Sequence, residues 1–122
     1  KLKELSPDGF ERLMASIFRN QGFEVEKTRA SKDGGFDLIL LKKSRVGSAM
    51  TLVDCKRYKN KVGVEIVRGL YGVVEQRGAT GGLIVTTSSF TKGAVILRDE
   101  LKYRMELADI ERIKELLADW KE

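Results

Sequence analysis

Two stretches decide the fold: Phe36-Asp37-Leu38-Ile39-Leu40-Leu41 and Met50-Thr51-Leu52-Val53-Asp54-Cys55-Lys56. Each is short, apolar and β-prone, and a basic segment, Lys42 to Gly47, lies between them. They read as two strands of a hairpin joined by a basic turn. The near-continuous apolar run from Phe36 to Leu41 predicts a central strand covered on both faces. A carboxylate at the start of such a strand is costly unless something pairs with it. Asp54 and Lys56 lie two apart, so both project from one face, while Val53 and Cys55 point the other way. If the two strands are neighbours, Asp37, Asp54 and Lys56 converge at one end of the sheet.

Outward from this pair the pattern is α/β. Ser6-Pro7-Asp8 predicts a helix start, with Ser6 as cap. Phe10, Leu13, Met14, Ile17 and Phe18 then form one apolar stripe, and Gly22 ends the helix. Phe23 to Thr28 alternates as a strand with one wet face, and Ser31 to Gly35 reads as a turn. After the hairpin, Val64, Val67, Leu70, Tyr71 and Val74 predict a second amphipathic helix. Gly69 and Gly72 lie on its opposite face with Glu65, Arg68 and Gln76. Each glycine costs about 1 kcal/mol there relative to alanine, which points first to close packing and otherwise to DNA or a second subunit. Gly81 to Thr86 is a strand, Thr91 caps a helix to Glu100, and Arg104 to Leu107 is a short strand. Asp109 caps a last helix with Ile110, Ile113, Leu116, Leu117 and Trp120 on its core face. The order αβββαβαβα predicts a mixed central sheet flanked by helices, with residues 1–122 as one domain.

Composition narrows the chemistry. The chain has 122 residues, 42% of them apolar, with one Cys and no His. This excludes histidine triads, histidine bases, His-ligated metals and a Cys-rich zinc site. Catalysis must then rest on carboxylates, lysine or hydroxyls, with a metal held by oxygen: Mg²⁺ or Mn²⁺ rather than zinc. Lys and Arg number 23 against 18 Asp and Glu, a net charge of +5 that suits a polyanion such as DNA. No apolar run is long enough to span a bilayer, and the first residues have no signal-peptide core, so a cytoplasmic setting without membrane contact is expected. The lone Cys agrees with a reducing compartment.

At the strand tips, Asp37 and Asp54 are candidate metal ligands, and Lys56 can position a water or balance charge on a phosphate. Glu11, on the first helix, either reaches the same pocket as a further metal ligand or is a surface glutamate. A dense run of cations follows the strand: Arg57, Lys59 and Lys61, with Tyr58 among them, a loop suited to gripping a nucleic-acid strand. Lys32 is a further candidate phosphate contact. Ser88 and Ser89 precede a helix start, where hydroxyls and free amides bind phosphate or simply cap the helix. Cys55 reads as a small packed group rather than a nucleophile.

Asp37 followed by Asp54-Cys55-Lys56 resembles the D…(D/E)xK signature of the PD-(D/E)XK nuclease superfamily. Six segments carry a more specific likeness. They are Gly9-Phe10-Glu11, Gln21-Gly22-Phe23-Glu24-Val25, Lys32-Asp33-Gly34-Gly35-Phe36-Asp37, Cys55-Lys56-Arg57-Tyr58, Val64 to Gly72, and Val85-Thr86-Thr87-Ser88-Ser89-Phe90-Thr91. Their order is that of the Mrr-type restriction endonuclease catalytic domain, over roughly residues 6 to 118. The resemblance implies a restriction-endonuclease-like core and Mg²⁺-dependent DNA endonuclease activity in restriction. It implies Glu11, Asp37, Asp54 and Lys56 as the active site, with the Cys55 carbonyl as a further metal ligand, and in-line hydrolysis leaving a 3′-OH. It also implies, in a longer chain, a DNA-recognition domain; a homodimer is expected because cutting both strands needs two sites. Many Mrr-type domains carry Gln at the position of Asp54, so metal preference transfers less directly. Two other readings share the core: a structure-specific nuclease such as a Holliday-junction resolvase, and a non-catalytic DNA-binding module.

Overall fold

The structure is a computed structural model that describes residues 2–28 and 35–120. Lys32 and most of the Ser31 to Gly35 turn lie outside the described residues. After a 3₁₀ turn at Leu2–Glu4 come α1 (Pro7–Asn20), β1 (Glu24–Lys27), β2 (Leu38–Ser44), β3 (Gly47–Lys56) and α2 (Val64–Arg77). They are followed by β4 (Gly81–Thr86), α3 (Lys92–Glu100), β5 (Met105–Ala108) and α4 (Ile110–Asp119). The predicted αβββαβαβα order holds.

Helix starts follow their caps. Ser6 Oγ accepts the Gly9 amide at 2.9 Å, with Pro7 in the first turn and Asp8 beside the positive helix end. Thr91 caps α3 through the Ala94 amide, and Asp109 caps α4 through the amides of Glu111 and Arg112. Gly22, at φ +101°, lets the chain leave α1 and turn into β1.

The five strands lie in the order β1-β2-β3-β4-β5. β1, β2 and β3 are antiparallel, and β4 and β5 join in parallel through α2 and α3. The central place therefore belongs to β3, not to the Phe36–Leu41 run, which is second from the edge. That run is apolar because both its faces are covered: Leu38 and Leu40 pack with Phe10, Met14 and Ile17 of α1, while Ile39 packs on the α2 side. The basic segment is also strand for longer than predicted. Lys42 pairs with Ala49 and Lys43 with Ser48, and the chain reverses only between Ser44 and Gly47. Strand pairing uses the backbone, so polar side chains here mark a ribbon wet on both faces rather than the end of the strand.

Two apolar clusters sandwich the sheet. One joins α1 and α4 through Phe10, Met14, Ile17, Phe18, Val53, Val85 and Ile113, and Leu116, Leu117 and Trp120 pack against it. The other joins α2 and α3 through Leu52, Val67, Leu70, Val74, Ile84, Ala94 and Met105. Gly81 allows β4 to sit against the chain entering β5: a Cβ there would lie 2.8 Å from the Arg104 carbonyl oxygen. Gly69 and Gly72 behave differently. A Cβ on either would meet nothing within 4 Å, so the close packing expected from their cost is not found. Within the described residues, no helix is long and apolar enough to cross a membrane.

Candidate active site

The register of the hairpin builds the site. Leu38 pairs with Val53 at the end of β2, and Asp37 lies just before it, close enough to Asp54 for the two carboxyls to interact. The Asp37 amide donates at 2.7 Å to the carbonyl of Val53, the residue paired with Leu38, so the ladder is offset at Asp37. Asp37 Oδ2 accepts the Cys55 amide at 2.7 Å. Thr28 completes the support: its amide and hydroxyl both donate to the Asp37 carbonyl, and the hydroxyl also reaches that of Phe36. The carboxylate that looked expensive in an apolar strand is thus fixed by backbone at the strand tip.

Lys56 lies on the same face as Asp54, its Nζ 3.5 Å from Asp54 Oδ1 and 5.6 Å from the centre of the Tyr58 ring. Asp54 is buried. Burial pushes its carboxyl up to about 6. Lys56 pulls the other way, and the charge of Asp37 and a hydrogen bond with it add to the rise. Burial also works against the Lys56 ammonium, but Asp54, Tyr58 and Asp37 outweigh it and hold its pKa above the usual lysine value. Glu11, from α1, joins this group. Its pKa is raised by burial, then by the charge of Asp37 and a hydrogen bond with it, while Lys27 opposes the rise. The structure therefore brings together Glu11, Asp37, Asp54 and Lys56.

Cys55 faces away. Its side chain packs on the α1 cluster, and burial holds the thiol well above its ordinary pKa, which disfavours the thiolate.

The basic loop is anchored beside the site. Thr87 Oγ1 donates to the Tyr58 carbonyl at 3.1 Å, Ser88 Oγ to the Lys59 carbonyl at 3.3 Å, and the Val62 amide to the Ser89 carbonyl at 2.9 Å. Tyr58, Lys59 and Lys61 are exposed, and Arg57 is half-buried. Ser88 and Ser89 thus serve to pin the loop after β3 to the loop after β4.

Sequence reasoning missed Lys27. It reads as a wet-face strand residue, yet its ammonium bridges Asp8 and Glu11. No local signal reveals this, because its partners lie on α1, far away in the sequence. Thr28, whose acceptors are the nearby carbonyls of Phe36 and Asp37, was missed as well.

A divalent ion fits the donor set in one specific way. Within the described residues, no group of three or more His, Cys, Asp or Glu side chains is arranged to hold a metal. Two adjacent carboxylates, Asp37 and Asp54, are a donor set that could hold an ion such as Mg²⁺, with water and substrate phosphate oxygens completing its coordination.

The family model of the Mrr catalytic domain, restriction endonuclease, matches residues 2–117. The chain belongs to this family. An uncharacterized protein of Sinorhizobium fredii, y4cE, is 34% identical over 84% of this chain and 27% of its own length. The type IV methyl-directed restriction enzyme EcoKMrr of Escherichia coli K12 is 27% identical over 97% of this chain and 40% of its own length. The chain thus spans less than half the length of these curated relatives. In solved structures, the DNA modification-dependent restriction endonuclease AspBHI superposes with a TM-score of 0.78 at 23% identity, covering 97% of this chain and 33% of that one. The MspJI restriction endonuclease, solved with a 27-mer oligonucleotide, gives 0.61 at 26% identity, covering 88% and 26%. The fold is that of restriction endonucleases, as the sequence resemblance implied.

Proposed function

We propose that this Mrr-family domain, residues 1–122, is a Mg²⁺-dependent endonuclease that hydrolyses DNA phosphodiester bonds in restriction, with Mn²⁺ able to replace Mg²⁺. The observation that carries this reading is the meeting of Asp37 and Asp54 at the strand tip, with Asp37 on the Cys55 amide and Lys56 on Asp54. Asp37 and Asp54 hold the ion, and the Cys55 carbonyl is a further candidate ligand. Bound there, the ion would polarise a phosphate oxygen and lower the pKa of water. Lys56 orients the attacking water and neutralises charge that grows on the phosphate. Arg57, Tyr58, Lys59 and Lys61 lie on a pinned loop beside the notch, where they would grip the phosphate backbone, joined by Lys32 and the Ser88–Ser89 segment. DNA is the substrate partner. Cutting both strands calls for two such sites, hence a homodimer, and the greater length of the relatives accommodates a DNA-recognition domain.

The test is cleavage of plasmid and linear DNA, methylated and unmodified, with Mg²⁺, Mn²⁺ or EDTA. Wild type should cut in either metal and stop in EDTA, and Asp54→Ala and Lys56→Ala should not cut. Full cleavage by both variants would overturn the assignment.

A further inference from the structure

Glu11 differs from Asp37 and Asp54 in what already faces it. The Lys27 ammonium lies 3.5 Å from Glu11 Oε1 and is hydrogen-bonded to Asp8 Oδ1. Asp8 is itself placed by the first turn of α1, where negative charge is favoured, and is paired with Arg12 at 3.3 Å. From the other side, Lys27 is fixed by β1, where it pairs with Leu38, next to Asp37. A half-exposed ammonium thus sits against Glu11, carried by β1 and hydrogen-bonded to Asp8 of α1. The Asp37 and Asp54 pair has a different cation, Lys56, and it contacts Asp54. Glu11 also forms no three-carboxylate metal group with them among the described residues.

In two-ion nuclease chemistry the cations lie about 3.5–4 Å apart, each needing its own share of carboxylate charge. An ammonium 3.5 Å from Glu11 supplies part of that countercharge and repels a second dication. Building on the metal-dependent reading above, we propose that Lys27 is a positioning residue that takes the place of a second divalent cation at Glu11. Each site then holds a single divalent ion, on Asp37 and Asp54, and Glu11 serves the surrounding hydrogen-bond network instead of a metal.

The test is titration of the intact chain with Mn²⁺, reading free ion by its paramagnetic resonance signal. The wild type should take up one Mn²⁺ per chain, and Lys27→Gln should take up two. Lys27→Arg, which keeps the cation, should return to one, as should the double variant Lys27→Gln with Glu11→Gln. In cleavage, Lys27→Gln should turn a simple saturation with Mg²⁺ into a cooperative one, and Lys27→Arg should restore the simple curve. Two ions in the wild type, one of them lost in Glu11→Gln, would overturn the proposal and leave the nuclease reading standing, as would a single ion in Lys27→Gln. No Mn²⁺ uptake by the wild type would instead overturn both.

Discussion

The two flanks of the acidic notch use the same pair of groups to opposite effect. On the α1 flank, Lys27 meets Asp8 at the surface, and the hydrogen bond between them holds the Asp8 carboxyl below its ordinary pKa. On the β3 flank, Lys56 stands 3.5 Å from Asp54, yet Asp54 is pushed up to about 6. The difference is water. Where the pair is solvated, the lysine decides. Where the carboxylate is buried beside a second one, loss of hydration outweighs a single ammonium. The β3 flank is left short of positive charge, which is the condition a divalent ion relieves.

The largest expected effect separates the two lysines. Lys56→Ala should lower Mg²⁺-dependent cleavage by about 10²–10⁴-fold, the usual contribution of a positioned proton-handling group. Lys27→Ala should lower it by a smaller factor. Single-turnover rates at saturating metal measure both, and equal losses would erase the distinction between the flanks.

Next comes stability. Below pH 3.8 Asp54 is protonated in folded and unfolded chains alike and contributes nothing. As pH rises from there, the unfolded chain ionises first, so stability is lost until the folded carboxyl ionises near 6. Above that the cost is constant at roughly 3 kcal/mol. Asp54→Asn should therefore be more stable than wild type at pH 8 by up to ~3 kcal/mol, with the gain vanishing near pH 4. Urea denaturation at the two pH values checks this, and a variant less stable at pH 8 would contradict it.

Metal should offset that cost in the wild type. Mn²⁺ at a hundred times its dissociation constant should stabilise the protein by about 2.7 kcal/mol, reversibly with EDTA. Asp54→Asn should show little of this gain, and thermal melts with and without Mn²⁺ read the difference. On the loop beside the β3 flank, Lys59→Gln and Lys61→Gln should each lower the slope of log affinity against log salt by about 1, without altering the rate of bound substrate. The smallest effect belongs to the exposed flank: Asp8→Asn should leave the melting temperature unchanged within error, because a solvated pair adds little.

Much of this architecture is legible in the chain. Element order and helix caps follow from Ser6, Thr91 and Asp109 and from apolar spacing, because caps and stripes are local. That Asp37 comes near Asp54 and Lys56 is legible too, since a hairpin makes the strands neighbours, but alternation sets the face of Asp54 and Lys56 only: Asp37 precedes β2, and Phe36 packs on the side opposite Leu38. Four features are not. The central position of β3 depends on which strand the crossover through α2 joins, a choice no local pattern records. Lys42 to Ser44 looked like a turn because polarity reports exposure, not backbone pairing. Gly69 and Gly72 looked packed because a glycine's cost is visible in sequence while the open space around it is not. The Lys27 bridge belongs with these, since it joins a strand to a helix turn well upstream.

The most direct test of the central claim is an anomalous difference map from crystals grown in Mn²⁺. The account predicts a peak touching the carboxylates of both Asp37 and Asp54, and its loss in Asp54→Ala. A peak bound elsewhere, or bound through Glu11 without Asp54, would contradict it.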